Sequence, residues 1–157
     1  MKNKLFAFAI MVSVFSGCKK DEEPATNNTT SVECSSILPN KLSAKIDGQS
    51  WCADQTCFGD LAIIMTMNGL NSNGSSLTLE LDDFNVGTYP IKQDRNHMLY
   101  TGIQAYESTD GNPGTLVIQS NDTSANLIKG TFTVTLVSPI LGSVSMTDGK
   151  FSIYYTE

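Results

Sequence analysis

The chain has 157 residues and a formal net charge of −6 at pH 7, with 16 acidic residues against 10 lysines and arginines. Contacts with nucleic-acid phosphates need clustered lysine and arginine, so this charge balance excludes nucleic acid as a partner. The length suits a single domain of common size.

The N-terminus has the three parts of a secretory signal peptide. Lys2 and Lys4 give a positive start, Leu5–Phe15 is apolar except for Ser13, and Ser16-Gly17 offers small residues for cleavage. This order predicts a signal peptide in residues 1–17. The apolar run is about half of the roughly 20 residues that a membrane-spanning helix needs.

The segment that ends at Cys18 resembles a known processing site. Phe15-Ser16-Gly17-Cys18 is similar to the lipobox of bacterial lipoproteins. The resemblance implies that Cys18 becomes the first residue of the mature chain, carries acyl groups and anchors the protein to a membrane. The charge run Lys19–Glu23 resembles the surface-export signal of Bacteroidetes-type lipoproteins. It implies an outer-membrane protein that faces the cell surface, with the periplasmic face as the alternative.

A polar segment follows the charge run. Residues 24–40 are rich in Thr, Asn and Ser and poor in large apolar side chains. Such a composition buries too little surface to repay the entropy of ordering. We therefore expect residues 18–40 to form a flexible, acylated tether and residues 41–157 to form the folded domain.

The folded domain shows the alternation of apolar and polar residues that is typical of β-strands. The clearest runs are Leu42–Ile46, Leu77–Leu81, Phe132–Leu136 and Phe151–Tyr155. Period-two alternation places one set of side chains on each face of a strand. The segment Leu61–Met67 is apolar on both faces, which favours a central strand. The pattern predicts a single antiparallel β-sandwich or a flattened small β-barrel.

Turn residues separate these runs. Asp-Gly pairs are strong hairpin signals because glycine tolerates the positive φ of a type I′ turn. Asn-Gly pairs and clusters of Gly and Pro indicate loops. The predicted hairpin turns are Asp47-Gly48 and Asp148-Gly149, and the predicted loops are Asn68-Gly69, Asn73-Gly74 and residues 110–114.

Four short motifs carry a family resemblance. They are AKIDGQSW at residues 44–51, GTY at 87–89, KGTF at 129–132 and TDGKF at 147–151. Together they resemble the small β-rich Bacteroidetes lipoproteins of unknown function, over nearly the whole domain. The resemblance implies a fold and a location, and it brings no catalytic residues.

The residues offer little for catalysis. His97 is the one histidine, and no G-x-S-x-G motif occurs. Glu80 and Asp82 lie on the strand face opposite to the leucines, which makes them ordinary exposed acids. The cysteine spacing fits no zinc pattern and the acidic residues fit no EF-hand loop, so we expect no metal and no other cofactor. A carboxylate-dependent hydrolase remains an alternative, and it would need acids that converge from different strands.

Three cysteines follow Cys18 in the chain, namely Cys34, Cys52 and Cys57. An exported protein meets an oxidising compartment, where a disulfide is the expected fate. We predict a Cys52–Cys57 disulfide across a polar turn, with Cys34 left in the tether. The pairings Cys34–Cys52 and Cys34–Cys57 remain open.

The aromatic residues are the remaining candidates for a binding surface. Trp51 follows a predicted hairpin and should cap the core, while the tyrosines could contribute to a ligand platform. Tyr154 is the strongest exposed candidate, because Phe151, Ile153 and Tyr155 occupy the core-facing positions. We therefore expect a non-catalytic outer-membrane lipoprotein that acts as a binding or envelope-interaction module, with an extracellular glycan, protein or small molecule as its ligand. The second alternative is a small-ligand carrier with a lipocalin-like cavity.

Overall fold

The computed structural model describes residues 35–157. The signal peptide, the proposed lipid site Cys18 and the cysteine Cys34 lie outside these residues. Within them, no helix is both long enough and apolar enough to cross a membrane.

The described region consists of β-strands joined by turns and loops, which confirms the predicted all-β class. The strands are β1 (Lys41–Ile46), β2 (Gln49–Cys52), β3 (Thr56–Leu61), β4 (Met65–Leu70), β5 (Ser76–Leu81), β6 (Gly87–Ile91), β7 (His97–Thr101), β8 (Ala105–Glu107), β9 (Gly114–Asp122), β10 (Leu127–Ser138) and β11 (Gly142–Thr156).

All eleven strands belong to one hydrogen-bonded sheet that folds into two layers. One layer has the order β2-β1-β11-β10-β9-β6, and the other has the order β3-β4-β5-β7-β8. Only short pairings join the layers. Tyr155 and Thr156 of β11 pair with Gly59 and Asp60 of β3, and Val137 of β10 pairs with Glu107 of β8. The β11–β3 pairing is parallel, so the sheet is mixed rather than wholly antiparallel as predicted.

The alternating runs face the core as the sequence predicts. In β5 every second residue is buried, and Leu77, Leu79 and Leu81 are at most 1% exposed. β10 alternates in the same way and buries Phe132, Val134 and Leu136. Each large apolar side chain taken out of water contributes about 1.5–3 kcal/mol, so the two inner faces supply most of the driving force for folding. Large buried side chains thus fill the space between the layers.

The two Asp-Gly pairs have different outcomes. Asp47 and Gly48 have φ values of 48° and 79°, which confirms the predicted β1–β2 hairpin turn. Asp148 also has a positive φ of 52°, but Asp148 and Gly149 lie inside β11. The pairings of β11 with β1 and with β10 both shift register there, which identifies a β-bulge. The predicted hairpin at Asp148-Gly149 is therefore wrong.

Two further local predictions are wrong. The apolar segment Leu61–Met67 is a hairpin and not a central strand, since β3 ends at Leu61, β4 begins at Met65 and Ile63 is 95% exposed at the tip. The Asn68-Gly69 pair lies within β4 and not in a loop. A Cβ on Gly69 would come within 2.7 Å of the Ala53 Cβ, so a close approach of chains, and not a turn, requires glycine here.

Strand pairing places two turns side by side. β4 and β7 both pair antiparallel with β5, and Leu70, Ser76 and Thr101 are at the same level in these three strands. The turns that follow β4 and β7 therefore lie at one end of this layer, which we call the distal end. The start of β1 lies close to the end of β4, because the carbonyl oxygen of Leu42 accepts from the Ala53 N–H while the next residue, Asp54, donates its N–H to the carbonyl oxygen of Leu70.

Candidate functional site

An open cleft of about 360 Å³ lies at the distal end, between the β4–β5 and β7–β8 turns. Its volume is within the range of roughly 300–1,000 Å³ that is usual for small-molecule sites. The residues that line it are Asn73, Gly74, Ser75, Tyr100, Gly102 and Ile103.

The β4–β5 turn is held firmly against the β2–β3 connection. Asn71 Nδ2 donates to the carbonyl oxygen of Cys52 at 2.6 Å. The Asp54 carboxylate accepts hydrogen bonds from the Ser72 N–H at 2.6 Å and the Ser72 hydroxyl at 2.8 Å. These contacts join turns that are distant in sequence, so this wall of the cleft is preorganised.

Trp51 supports the same wall from the core. It is 4% exposed, as expected for a residue that caps the core, and its Nε1 donates to Ser75 Oγ at 2.8 Å. Ser75 Oγ in turn donates to Asn73 Oδ1 at 2.6 Å. A chain of hydrogen bonds therefore connects the buried indole to a side chain that lines the cleft.

The side chain of Asn73 is oriented so that its Nδ2 group is left for a ligand. Its Oδ1 accepts hydrogen bonds from both the N–H of Ser75, at 2.8 Å, and the Ser75 hydroxyl. These two bonds fix the plane of the amide, because Oδ1 must face Ser75. Within residues 35–157, Nδ2 of Asn73 donates no hydrogen bond. The cleft thus presents a fixed amide donor to solvent.

Tyr100 and the β7–β8 turn form the opposite wall. The ring of Tyr100 is half-buried against Tyr106, with ring centroids 6.3 Å apart and planes tilted by 34°. A Cβ on Gly102 would lie 3.4 Å from the Tyr100 hydroxyl oxygen, so the turn passes close beside the ring. Ile103 at the tip is 100% exposed. The wall therefore offers an aromatic ring, a hydroxyl group and an apolar side chain.

The sequence carried only part of the signal for this cleft. Asn73-Gly74 is a turn as predicted, with Gly74 at a φ of 86°, and Tyr100 is one of the tyrosines that the sequence offers for a ligand platform. Ser75 and Ile103 carried no signal, since their role depends on two hairpin turns that meet only in the folded chain.

Tyr154, the predicted ligand contact, lies elsewhere. Its side chain is 51% exposed on the outer face of β11, while Phe151, Ile153 and Tyr155 are buried as expected. Phe58 of β3 is equally exposed, and it precedes the Gly59 that pairs with Tyr155. We call the surface formed by Tyr154 and Phe58 the outer wall. Neither residue lines the cleft.

The predicted Cys52–Cys57 disulfide is wrong. Cys57 is a free cysteine in β3, and burial raises the pKa of its thiol to about 11. Cys52 is disulfide-bonded, so its partner is not Cys57. The polar link between the two cysteines is held to β4 instead, because the backbone N–H groups of Asp54 and Gln55 both donate to the carbonyl oxygen of Leu70.

His97 lies between two glutamates on the outer face. Its Nδ1 is 3.6 Å from Glu80 Oε2, and its Nε2 is 3.8 Å from Glu107 Oε2. The neighbours come from the adjacent strands β5 and β8. No nucleophilic hydroxyl or thiol appears among these contacts, so the cluster lacks the pairing of nucleophile and base that covalent catalysis requires.

The acidic residues after β5 take part in structural contacts. The guanidinium of Arg95 donates to both carboxylate oxygens of Asp83, at 2.7 and 2.8 Å, and these bonds lower the pKa of Asp83. Asp82 accepts a hydrogen bond from the N–H of Asn96, and Asn96 is fully buried with its Oδ1 bonded to the N–H groups of both aspartates. No group of three or more His, Cys, Asp or Glu side chains suited to a metal occurs in the described region.

The lipocalin-like alternative needs an apolar void between the layers. Instead, the largest fully buried side chains, among them Met65, Met67 and Met98, occupy that space. The cleft opens at the end of the sandwich and has a mixed polar and aromatic lining.

Comparison with known proteins identifies one family. Residues 40–153 match the profile of a domain of unknown function, DUF6252. No curated protein and no solved structure matches the chain significantly.

Proposed function

The chain belongs to the DUF6252 family, and we propose that it is a non-catalytic binding module that is anchored by lipid at the outer membrane and binds its ligand in the distal cleft. The observation that carries the proposal is the cleft itself. The fixed amide of Asn73 and the side chain of Tyr100 line the same open space, which has a suitable volume. Preorganised donors beside an aromatic ring are typical of sites that bind small molecules or chain segments.

The lipid anchor accounts for the membrane location in this proposal. Two or more acyl chains on Cys18 would give stable attachment, since each buried methylene contributes about 0.8 kcal/mol.

The anchor and its orientation can be tested directly. Intact-mass analysis of the native protein should show a chain that begins at Cys18 with added acyl mass, and Cys18→Ser should release it or block its processing. Protease added to intact cells should remove the domain if it faces outward. Replacing Asp21, Glu22 and Glu23 with alanine should then protect it. An unmodified N-terminus elsewhere, or a wild-type domain shielded until the outer membrane is broken, would contradict the respective proposal.

Binding in the cleft can be tested by hydrogen–deuterium exchange. The full chain is mixed with size-fractionated culture medium and with envelope extract. We expect at least one fraction to slow exchange at residues 71–75 and 102–104, and Tyr100→Ala to abolish the effect. Tyr154→Ala is the matched control, because it removes a half-exposed tyrosine outside the cleft. Protection confined to the outer wall, or no protection in any fraction, would refute the cleft as the binding site.

The non-catalytic part of the proposal predicts that the acids and the histidine are dispensable. His97→Ala, Glu80→Ala and Asp82→Ala should leave ligand protection of the cleft unchanged, and the recovered ligand should have its original mass. If the wild-type chain alters the ligand chemically and one of these variants does not, the protein is an enzyme and this part of the proposal is wrong.

A further inference from the structure

From the chemistry of the cleft, we infer that its ligand is a neutral saccharide, bound with one sugar ring against Tyr100 and one hydroxyl oxygen on the Asn73 amide. This inference rests on the proposed function, because it names the ligand class for the same cleft.

The charge of the cleft points to a neutral ligand. Apart from the phenol of Tyr100, none of the side chains that line it can ionise. A charged ligand would lose hydration without meeting an opposite charge, which is unfavourable. The net charge of −6 adds a general repulsion against anionic polymers.

The polar groups of the cleft match hydroxyl groups. Asn73 Nδ2 is a donor held in one orientation by the two bonds that its Oδ1 accepts. The Tyr100 hydroxyl makes no hydrogen bond within residues 35–157, and it can both donate and accept. A sugar carries closely spaced hydroxyl groups that also donate and accept, so one ring can satisfy both residues together.

The apolar groups of the cleft match the C–H face of a sugar ring. One face of a pyranose is lined by C–H groups, which pack against the electron-rich face of an aromatic ring. Tyr100 supplies such a ring, while Gly74 and Gly102 present backbone without side chains around it. The fully exposed Ile103 extends the apolar surface at the rim, where a second sugar unit would lie.

A peptide fits the cleft less well. An extended peptide gains affinity by pairing with a free strand edge. Three of the strands whose turns form the cleft have no such edge, because β4, β5 and β7 are each paired on both sides. The fourth strand, β8, pairs with β10 at Glu107, so only two of its residues could pair with a peptide. The lining also contains no carboxylate or ammonium group to recognise a charged peptide side chain.

Trp51 provides a reporter for the test. It is the single tryptophan in the chain, and its indole bonds to Ser75, which lines the cleft. The full chain is titrated with maltohexaose, mannohexaose, xylohexaose and chitohexaose while Trp51 emission is followed. A hexagalacturonate and an uncharged hexapeptide serve as the anionic and peptide probes. We expect a saturable change with at least one neutral saccharide and a Kd on the order of 1 mM, as is usual for few contacts in an open site.

Variants separate the roles of the two walls. Asn73→Asp keeps the acceptor for Ser75 but replaces the Nδ2 donor with an oxygen, so it should raise Kd about tenfold or more. Tyr100→Ala should abolish binding, and Tyr100→Phe should weaken it only a few-fold because the ring remains. Tyr154→Ala should bind as the wild type does.

Each other outcome overturns the inference. Binding of only the hexapeptide or the hexagalacturonate, or neutral saccharide binding that Asn73→Asp and Tyr100→Ala leave unchanged, refutes a neutral saccharide in the cleft. If no saccharide binds while an extract still protects residues 71–75 and 102–104 from exchange, the ligand class is wrong and the binding function stands. If neither experiment shows occupancy of the cleft, both proposals fail.

Discussion

The ring of Phe132 lies where a side chain on Gly149 would be. A Cβ added to Gly149 would meet the ring carbons of Phe132 at 2.4 Å, and the two residues are direct partners in the β10–β11 pairing. The reverse arrangement occurs on the same pair of strands, where Phe151 is the partner of Gly130 and its ring would lie 2.4 Å from an added Cβ. The phenylalanine of each motif, KGTF and TDGKF, thus covers the glycine of the other.

This reciprocal packing predicts that the motif glycines are needed for stability. Gly149→Ala should destabilise the fold by about 1–3 kcal/mol, because Phe132 is buried and has little room to move. Gly111→Ala is the matched control, since nothing lies within 4 Å of its Cβ position. Denaturant unfolding of both variants measures the difference. Equal midpoints would show that the Phe132 ring shifts without cost.

The same motifs mark the limit of what the sequence could predict. Alternation identified the strands and their buried faces because burial of one face imposes period two on the residues. It could not distinguish a turn from a bulge at Asp148-Gly149, since both use an aspartate at positive φ followed by a glycine. Nor could alternation show that Leu61–Met67 contains a turn, because apolar residues at a hairpin tip give the same pattern as a buried strand.

The candidate site was harder to predict than the fold. Asn73 and Tyr100 are 27 positions apart in the sequence, and neither residue type in its local context indicates binding. Their relation depends on long-range contacts, such as the Trp51–Ser75 and Ser72–Asp54 hydrogen bonds. Local patterns do not encode which hairpin turns lie side by side.

Asn40, the last residue of the predicted tether, connects β3 of one layer to β11 of the other by side-chain hydrogen bonds. We therefore expect its substitution to reduce the stability of the fold. Asn40 is 7% exposed; its Nδ2 donates to the carbonyl oxygens of Cys57 and Tyr154 at 3.1 and 3.2 Å, and its Oδ1 accepts from the N–H of Tyr154 at 2.7 Å. Asn40→Ala would leave these backbone groups unpaired, so we expect a loss of about 1–3 kcal/mol in the free energy of unfolding.

The exposed Asn112 provides the control for this substitution. Asn112→Ala should change the free energy of unfolding by about 0.5 kcal/mol or less. If Asn40→Ala has an equally small effect, the junction between β3 and β11 is held by the remaining β-pairs, and residue 40 belongs functionally to the tether.

The Asp83–Arg95 pair predicts a loss of stability in acid. Hydrogen bonds from Arg95, and to a lesser degree from Asn96, lower the pKa of the Asp83 carboxyl below its ordinary value. The pair's contribution is therefore fully present above the unfolded pKa and is lost as the pH falls through the lower folded pKa. Asp83→Asn should be less stable than the wild type at pH 7, and the difference should shrink below about pH 4.

Unfolding curves at several pH values measure this effect. Asp94→Asn controls for the change in net charge, because Asp94 is exposed in the same turn as Arg95. A difference between Asp83→Asn and the wild type that stays constant down to pH 3 would show that the ion pair does not cause the effect. High salt should reduce the contribution as well, since Arg95 is exposed.

The cysteines give a prediction about reactivity and connectivity. Burial raises the pKa of the Cys57 thiol to about 11, although the positive charge of Lys41 opposes the shift. Only the thiolate reacts with alkylating agents, so at pH 8 a rise from 9.0 to about 11 lowers the reactive fraction about 100-fold. Iodoacetamide should therefore label Cys57 at least about 100 times more slowly in the native than in the unfolded chain.

Of the two bridges that the sequence left open, only Cys34–Cys52 leaves Cys57 free, so non-reducing peptide mapping should link those two peptides. Cys57→Ser should remove the native free thiol and keep that linked peptide. A Cys52–Cys57 peptide would contradict the free thiol in β3 and the predicted Cys34–Cys52 bridge. Native labelling of Cys57 at the unfolded rate would contradict the effect of burial on its thiol.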